Sequence, residues 1–391
     1  MTYKLIFYVC KLKMRVLKVF LVSLLLIYAI CGCVFAQESY YSEYYIEQYE
    51  SSGADKLIDA LPKETRDYME SVGLSDIDFY AIFDVSPKSL LDLLFKIASG
   101  NIDAPLKGTI KVIGIIFLSA IVRSLFLSDN KLENVLNIVT GSVIAVFIFS
   151  PMAEVIVRGV TAISIGADFM FVLIPILAGI ITTAGNPALA LSYNSLTFAA
   201  AQAVSQISDS VVMPLSGVYM ATGMISSISP ELKLDGLSDI IKKSVFGTLS
   251  FAAAIFSTIL SLKGIMAISS DNLISKGIKL AVNSAVPVVG GAISEAYSSI
   301  VGSLSLLKNA VGMFGIVAVS VINLPVILEL LFWILGLKLT SVFASLLGDD
   351  KSCTLINVIT SALTIINVMI LFGAVIFIIS TGIILSLRTS I

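Results

Sequence analysis

The residues of this chain that could do chemistry are few, and they lie in apolar surroundings: Glu154, Arg158, Asp168, Asp209, Lys263, Glu295, Lys308 and Glu329. A charge inside an apolar helix is costly unless it is paired or hydrated. Such positions therefore point to ion pairs, snorkelling side chains or a polar path. Arg158 and Lys263 fall near the ends of apolar stretches, where a long side chain reaches the interface. Glu154 precedes Arg158 by four residues, the spacing of an intrahelical pair. Asp209 and Glu295 lie deeper, and both suit either a polar cavity or a pair with a neighbouring helix or subunit. Histidine is absent, which removes the commonest general base and a leading metal ligand. Cys10, Cys31 and Cys33 precede residue 37, leaving Cys353 alone afterwards. Neither a disulfide framework nor a cysteine-based metal site is possible within one mature chain. No phosphate-binding loop, histidine-based triad, metal-ligand spacing or basic–aromatic surface is present. The expectation is a protein without catalytic residues, cofactor, metal or nucleic-acid partner.

The stretch 285–315 organises the rest. It is apolar and rich in small residues, is interrupted by Pro287 and Gly290-Gly291, and carries Glu295 and Lys308. An earlier stretch echoes it, with Pro175 where Pro287 stands. Arg158-Gly159 likewise matches Lys263-Gly264, Phe149-Ser150 matches Phe256-Ser257, and Pro214 matches Pro325. These landmarks keep their order at offsets between 105 and 112. Two diverged copies are read, about 137–228 and 245–340. The small residues around Gly290 either let helices approach closely in lipid or build a site from paired broken helices near the midplane.

Composition sets the class. Hydrophobic residues make up 57% and charged residues 13%, and mean hydropathy is +0.99; the charged share is about half that of a globular domain. Residues 1–36 hold five Lys/Arg and no acid, whereas 37–103 hold 14 acids against 5 bases. A basic start, an apolar run and Val34-Phe35-Ala36 read as a secretory signal cut after Ala36. An uncleaved anchor, or a lipoprotein box at Ile30-Cys31-Gly32-Cys33, are the rival readings. All three place residue 37 onward outside the cytoplasmic membrane. Residues 37–104 form an acidic extracytoplasmic segment. Tyr41, Tyr45 and Tyr49 are spaced for an amphipathic helix, although a flexible leader is the simpler reading. Helices are expected at 63–72 and 86–99, the second with Ser86 as N-cap, Pro87 at N1, Gly100 as C-cap and a face of Leu90, Leu91, Leu94, Phe95 and Ala98. So small a segment makes a weak core alone and needs a neighbour.

The membrane domain occupies 105–391. A span needs about 20 predominantly apolar residues, and candidates lie near 108–127, 135–157, 169–185, 208–228, 244–268, 310–336 and 354–386. Residues 186–207 and 281–304 either span or dip in and return. The short loops are evenly charged, so orientation, and with it whether the copies are inverted or parallel, stays open. The expected class is all-α: a polytopic membrane protein with two diverged repeats, preceded by a signal peptide and a small helical segment. Membrane lipid is its implied surrounding, and a homo-oligomer is compatible with the small-residue surfaces.

The chain also resembles the stage III sporulation protein AE family of endospore-forming bacteria. The resemblance rests on Asp271, Lys279, Pro287-Val288-Val289-Gly290, Glu295-Ala296 and Leu306-Leu307-Lys308-Asn309-Ala310-Val311-Gly312. It extends to Phe169-Met170, Pro175, Pro214-Leu215, Leu237–Lys243 and Gly348-Asp349. It implies a multi-pass protein of the mother-cell membrane surrounding the forespore. The partners it implies are the other stage III A sporulation proteins and the forespore stage II protein Q or its equivalent. The role it implies is a component of a secretion-like channel complex needed for late forespore gene expression. The alternative from another class is a secondary transporter with its site between the repeats, and a third reading is a structural anchor.

Overall fold

The computed structural model describes residues 43–77, 85–125, 130–228, 236–256, 258 and 290–386, without the side chains of 43, 44, 87, 130–134, 290–298 and 386. The signal segment, Lys263 and Pro287 lie outside the described residues. Among the described residues every regular element is a helix. We name them α1 (Glu43–Ser52), α2 (Lys56–Asp59), α3 (Lys63–Glu70), α4 (Pro87–Asn101), α5 (Asp103–Leu125) and α6 (Asn130–Thr183). There follow α7 (Pro187–Ile207), a π turn (Ser208–Val212), α8 (Met213–Ile228), α9 (236–256), α10 (Gly290–Leu346) and α11 (Asp350–Ser386). Among the described residues five helical stretches are long and apolar enough to cross a membrane: Asp103–Leu125, Val135–Thr183, Pro187–Ile228, Ser299–Leu346 and Asp350–Leu385.

The expected spans 135–157 and 169–185 are one helix. Its 54 residues reach about 81 Å at 1.5 Å per residue, against a hydrocarbon core of about 30 Å. The expected break at 158–168 does not occur because the glycines there serve packing. A Cβ on Gly159 would meet Ile366 Cγ2 at 2.6 Å, and one on Gly166 would meet Asn323 and Phe377 at 3.6 Å. Pro151 and Pro175 also sit inside α6 without ending it, as packed membrane helices allow. Residues 187–207 are a full helix running into α8, and the stretch from Gly290 belongs to α10. The 354–386 stretch neither splits nor stops short. Of the repeat, the second copy lies partly outside the described residues. The first copy reverses at Gly185, while α10 runs on through the corresponding stretch, 296–299.

Two reversals are made by glycine in the left-handed region. Gly185 (φ +88°) ends α6, with Asn186 N–H donating to the Ile181 carbonyl at 3.1 Å and Gly185 N–H to Thr182 at 3.0 Å. Gly348 (φ +72°) ends α10 in the same way, with Asp349 N–H on the Ala344 carbonyl at 2.9 Å. This is the Schellman arrangement, which satisfies carbonyls that a helix end leaves free. The resulting α10–α11 hairpin packs along α6, with α8 against α11 and α5 against α10. Register follows from the close approaches. Arg158 meets Glu329, Gly166 faces Asn323, and a Cβ on Gly315 would strike Leu173, so α6 and α10 run antiparallel.

Gly223 of α8 is one such approach: an added Cβ would meet Val358 Cγ1, with Cγ2 at 3.1 Å and Cβ at 3.2 Å. A β-branched neighbour is stiff at χ1 and has no flexible end to yield. Gly223→Leu is therefore expected to lower stability by about 1–3 kcal/mol. Gly217→Leu on the same helix, with nothing within 4 Å of its Cβ position, should leave it unchanged. Thermal unfolding of the detergent-solubilised protein distinguishes the two.

The amino-terminal helices dock on this body rather than standing alone. α1 packs on α10 and α6, α2 on α6, and α3 and α4 on α10. Residues 43–52 are a helix, not a flexible leader, with Tyr45 buried. Tyr49 donates to Asp76 Oδ1 at 3.0 Å, and burial together with that carboxylate pushes its ionisation up. Ser86 caps α4, accepting from Ser89 N–H at 3.0 Å, with Pro87 at N1. Gly100 does not cap; α4 runs to Asn101 and leads directly into α5. Its buried residues are Leu93 and Ile97, whereas Leu91 and Phe95 stand 54% and 72% exposed. The expected face was thus rotated, because α4 packs on α10 and leaves its longest apolar pair outside.

Outward-facing large apolar side chains are unevenly distributed. They include Leu106, Ile110, Phe117 and Leu118 on α5, Val139, Val146 and Phe147 on α6, and Leu335, Leu339 and Leu346 on α10. Past Arg158 the described part of α6 exposes none, α10 none between 299 and 334, and α11 only Ile379. The exposed apolar belt is therefore centred on α5, whose 23 residues give about 34 Å, close to one bilayer core.

Candidate functional site

Three of the predicted charges, Arg158, Glu329 and Asp209, stand at one height, the edge of that belt. Arg158 Nη2 donates to Glu329 Oε1 at 2.6 Å. The Glu329 side chain is 4% exposed and that of Arg158 is 53% exposed. The expected Glu154–Arg158 pair gives way to this interhelical one. A buried carboxylate on α10 has more to gain from the guanidinium than an exposed Glu154 on the same helix as Arg158. Arg158 is also not at a helix end, since α6 continues past it, but it does stand where the exposed apolar surface stops. Trp333 lies one turn beyond Glu329 and is buried. It packs on α5 where Gly108 has no Cβ, and Gly336 similarly admits Thr109.

Asp209 occupies the π turn between α7 and α8. A Cβ on Gly373 of α11 would meet Val204 at 3.0 Å, and Gly223 faces Val358. Interpolating between these contacts puts Asp209 near the height of Ile370, which also packs against Gly159. Asp209 is exposed, as are Gln202, Gln206 and Ser210, and Gln206 Nε2 donates to Ser210 Oγ at 3.1 Å. With Ser192 and Ser195 they give a polar character to an outer face that also carries exposed Leu191 and Phe198, on a stretch apolar enough to span. The extra residue of a π turn shifts the face of a helix and is frequent at functional positions. Here it sets Asp209 and Ser210 side by side facing outward.

The remaining predicted positions separate. Lys308 is buried in α10, Pro175 is exposed on α6, and Asp168 is exposed one turn before Val172. Glu295 lies in the first two turns of α10, and Gly290 is its first residue. A second polar knot was missed by the sequence reading. Arg123 of α5 donates to the Gly348 carbonyl at 2.8 Å and to Asn137 Oδ1 at 2.7 Å, and pairs with Asp349 Oδ1 at 3.5 Å. Asp349 in turn accepts from Ser352 N–H at 3.1 Å, capping α11. The Gly348-Asp349 pair was the available signal, since a buried acid after a helix-ending glycine needs a cation. Among the described residues no group of three His, Cys, Asp or Glu is placed to hold a metal ion.

What these groups offer is binding and helix registration. Residues 78–387 match the family described as stage III sporulation protein AE. The stage III sporulation protein AE of Bacillus subtilis (strain 168) is 22% identical over 225 residues, covering 58% of this chain and 56% of that relative. The alignment thus spans little more than half the length of the curated relative. No solved structure matches the fold. The match takes in α4 to α11, with the belt, the Arg158–Glu329 pair and the polar face of α7, and on its extent the chain belongs to the stage III sporulation protein AE family as a multi-span membrane protein.

Proposed function

We propose that this protein is the polytopic membrane component of a secretion-like channel complex in the mother-cell membrane around the forespore, needed for late forespore gene expression. Its partners in this reading are the other stage III A proteins and the forespore stage II protein Q or its equivalent. It binds and positions rather than catalyses. Family membership supports the sporulation setting. The observation that carries the residue-level reading is the polar face of α7 and the π turn: Gln202, Gln206, Asp209 and Ser210 all turn outward from a stretch apolar enough to span. Amide and carboxylate groups exposed there need water, a protein neighbour or another copy of the chain. α1 to α4 gather at the edge of the belt from which α7 departs, so both present surface to the same side. With a secretory signal, that side faces the forespore.

The test is complementation of a deletion strain with Gln206→Leu/Asp209→Leu. Normal protein level with loss of most late forespore reporter activity is expected. Full reporter activity would remove the polar face from the account.

A further inference from the structure

A cavity of about 250 Å³ lies between α5, α6 and α10. Its walls are Phe147, Ile148 and Pro151 of α6 and the indole of Trp333, and Lys107 and Lys111 stand at its rim. Gly108 also lines it and is the reason the indole can come so close, since a Cβ there would overlap the ring. The two lysines are four residues apart and share a helix face, and their side chains lean toward the start of α5. That start is one edge of the exposed apolar belt, and Leu106, Ile110 and Phe147 beside it are each more than half exposed.

The charge at this rim is available. Lys107 has Asp103 at 3.6 Å, but both side chains are 73% exposed, and pairs of that kind are weak. Lys111 makes no ion pair with a described residue. The Trp333 indole is buried beside the Glu329 carboxylate, one turn earlier, which also accepts from Arg158 through Oε1. The indole forms the apolar wall of the cavity beneath the two lysines.

We propose that this cavity binds an anionic phospholipid, with the phosphate held by Lys107 and Lys111 and the upper acyl chain laid along Phe147 and Leu106. A headgroup phosphate supplies the negative charge that the two rim lysines lack. The surrounding exposed apolar residues select a phosphate carried on a lipid over one free in water. Lysines and a tryptophan at the edge of an apolar belt suit that depth. The volume takes a headgroup and the first methylenes, not a whole lipid.

Trp333 is the only tryptophan in the chain, so its fluorescence reports this site alone. The full chain is reconstituted in phosphatidylcholine vesicles containing a small fraction of phosphatidylglycerol brominated high on its acyl chain. A parallel sample carries the same fraction of brominated phosphatidylcholine. Quenching by the anionic lipid should reflect a local enrichment of about 30-fold, the size that two interfacial lysines supply. Lys107→Gln/Lys111→Gln should bring quenching down to the phosphatidylcholine level, and Asp103→Asn, which frees Lys107, should raise it. Equal quenching of the native protein by both lipids would overturn the proposal whatever the variants do. So would a preference surviving in the double variant, or relief of quenching by soluble glycerol phosphate as effectively as by unbrominated phosphatidylglycerol.

Discussion

Replacing Arg158 by methionine is expected to destabilise the folded protein by about 3–5 kcal/mol, the range for a buried ion pair that loses one member. The asymmetry of the pair sets this size. The Glu329 side chain is 4% exposed, so without Arg158 it holds a carboxylate among apolar neighbours. The Arg158 side chain is 53% exposed and can turn outward when its partner is lost. Glu329→Gln should therefore cost much less, since the amide still accepts a hydrogen bond and no buried charge remains. Arg158→Met/Glu329→Gln should recover most of the loss of the single arginine variant. Thermal unfolding of the solubilised variants gives the three values. Equal losses for both single variants would mean that the exposed guanidinium, and not the buried carboxylate, sets the cost.

Arg123→Met is expected to fall in the same range, about 3–5 kcal/mol, and to act on a different place. Arg123 ties the carboxyl end of α5 to the turn between α10 and α11, through the Gly348 carbonyl and Asp349, and to α6 through Asn137. Asp349 is 2% exposed and Ser352 N–H alone would remain on it. The loss should open the α10–α11 reversal, seen as faster amide hydrogen exchange across 344–353 with little change around Arg158. Adding Asp349→Asn removes the uncompensated charge while its amide oxygen can still cap Ser352 N–H, and should restore most of the protection. Asp349→Ala removes the cap as well, at about 1 kcal/mol more.

Much of this architecture was legible in the residues. The run of apolar stretches predicts a multi-span helical body, and Ser86-Pro87 marks the start of α4, where Ser86 caps Ser89 N–H. The short acidic segment needed a neighbour and found it in α10 and α6. What escaped were properties of distance and rotation. The dip in hydropathy at 158–168 resembles a loop, yet Gly159 and Gly166 are where Ile366, Ile370 and Phe377 pack. Spacing assigns Arg158 to Glu154 because four residues is the only geometry a linear pattern can see. Its partner Glu329 is 171 positions away. Leu91 and Phe95 belong to the apolar pattern of α4, but which flank of that pattern α10 covers is decided by the packing of both helices. Asp209 was singled out for its depth in an apolar stretch, and the π turn sets it on the outside at the height of Arg158 and Glu329.

The central claim is a role confined to sporulation, exerted from the membrane around the forespore. Deleting the gene in the native endospore-former, and scoring vegetative growth, completion of engulfment and a late forespore reporter in the same cells, tests it most directly. The account predicts normal growth and completed engulfment with a silent late reporter, restored by the wild-type gene. A defect in growth or solute uptake outside sporulation would contradict it and make a self-sufficient transporter the better reading.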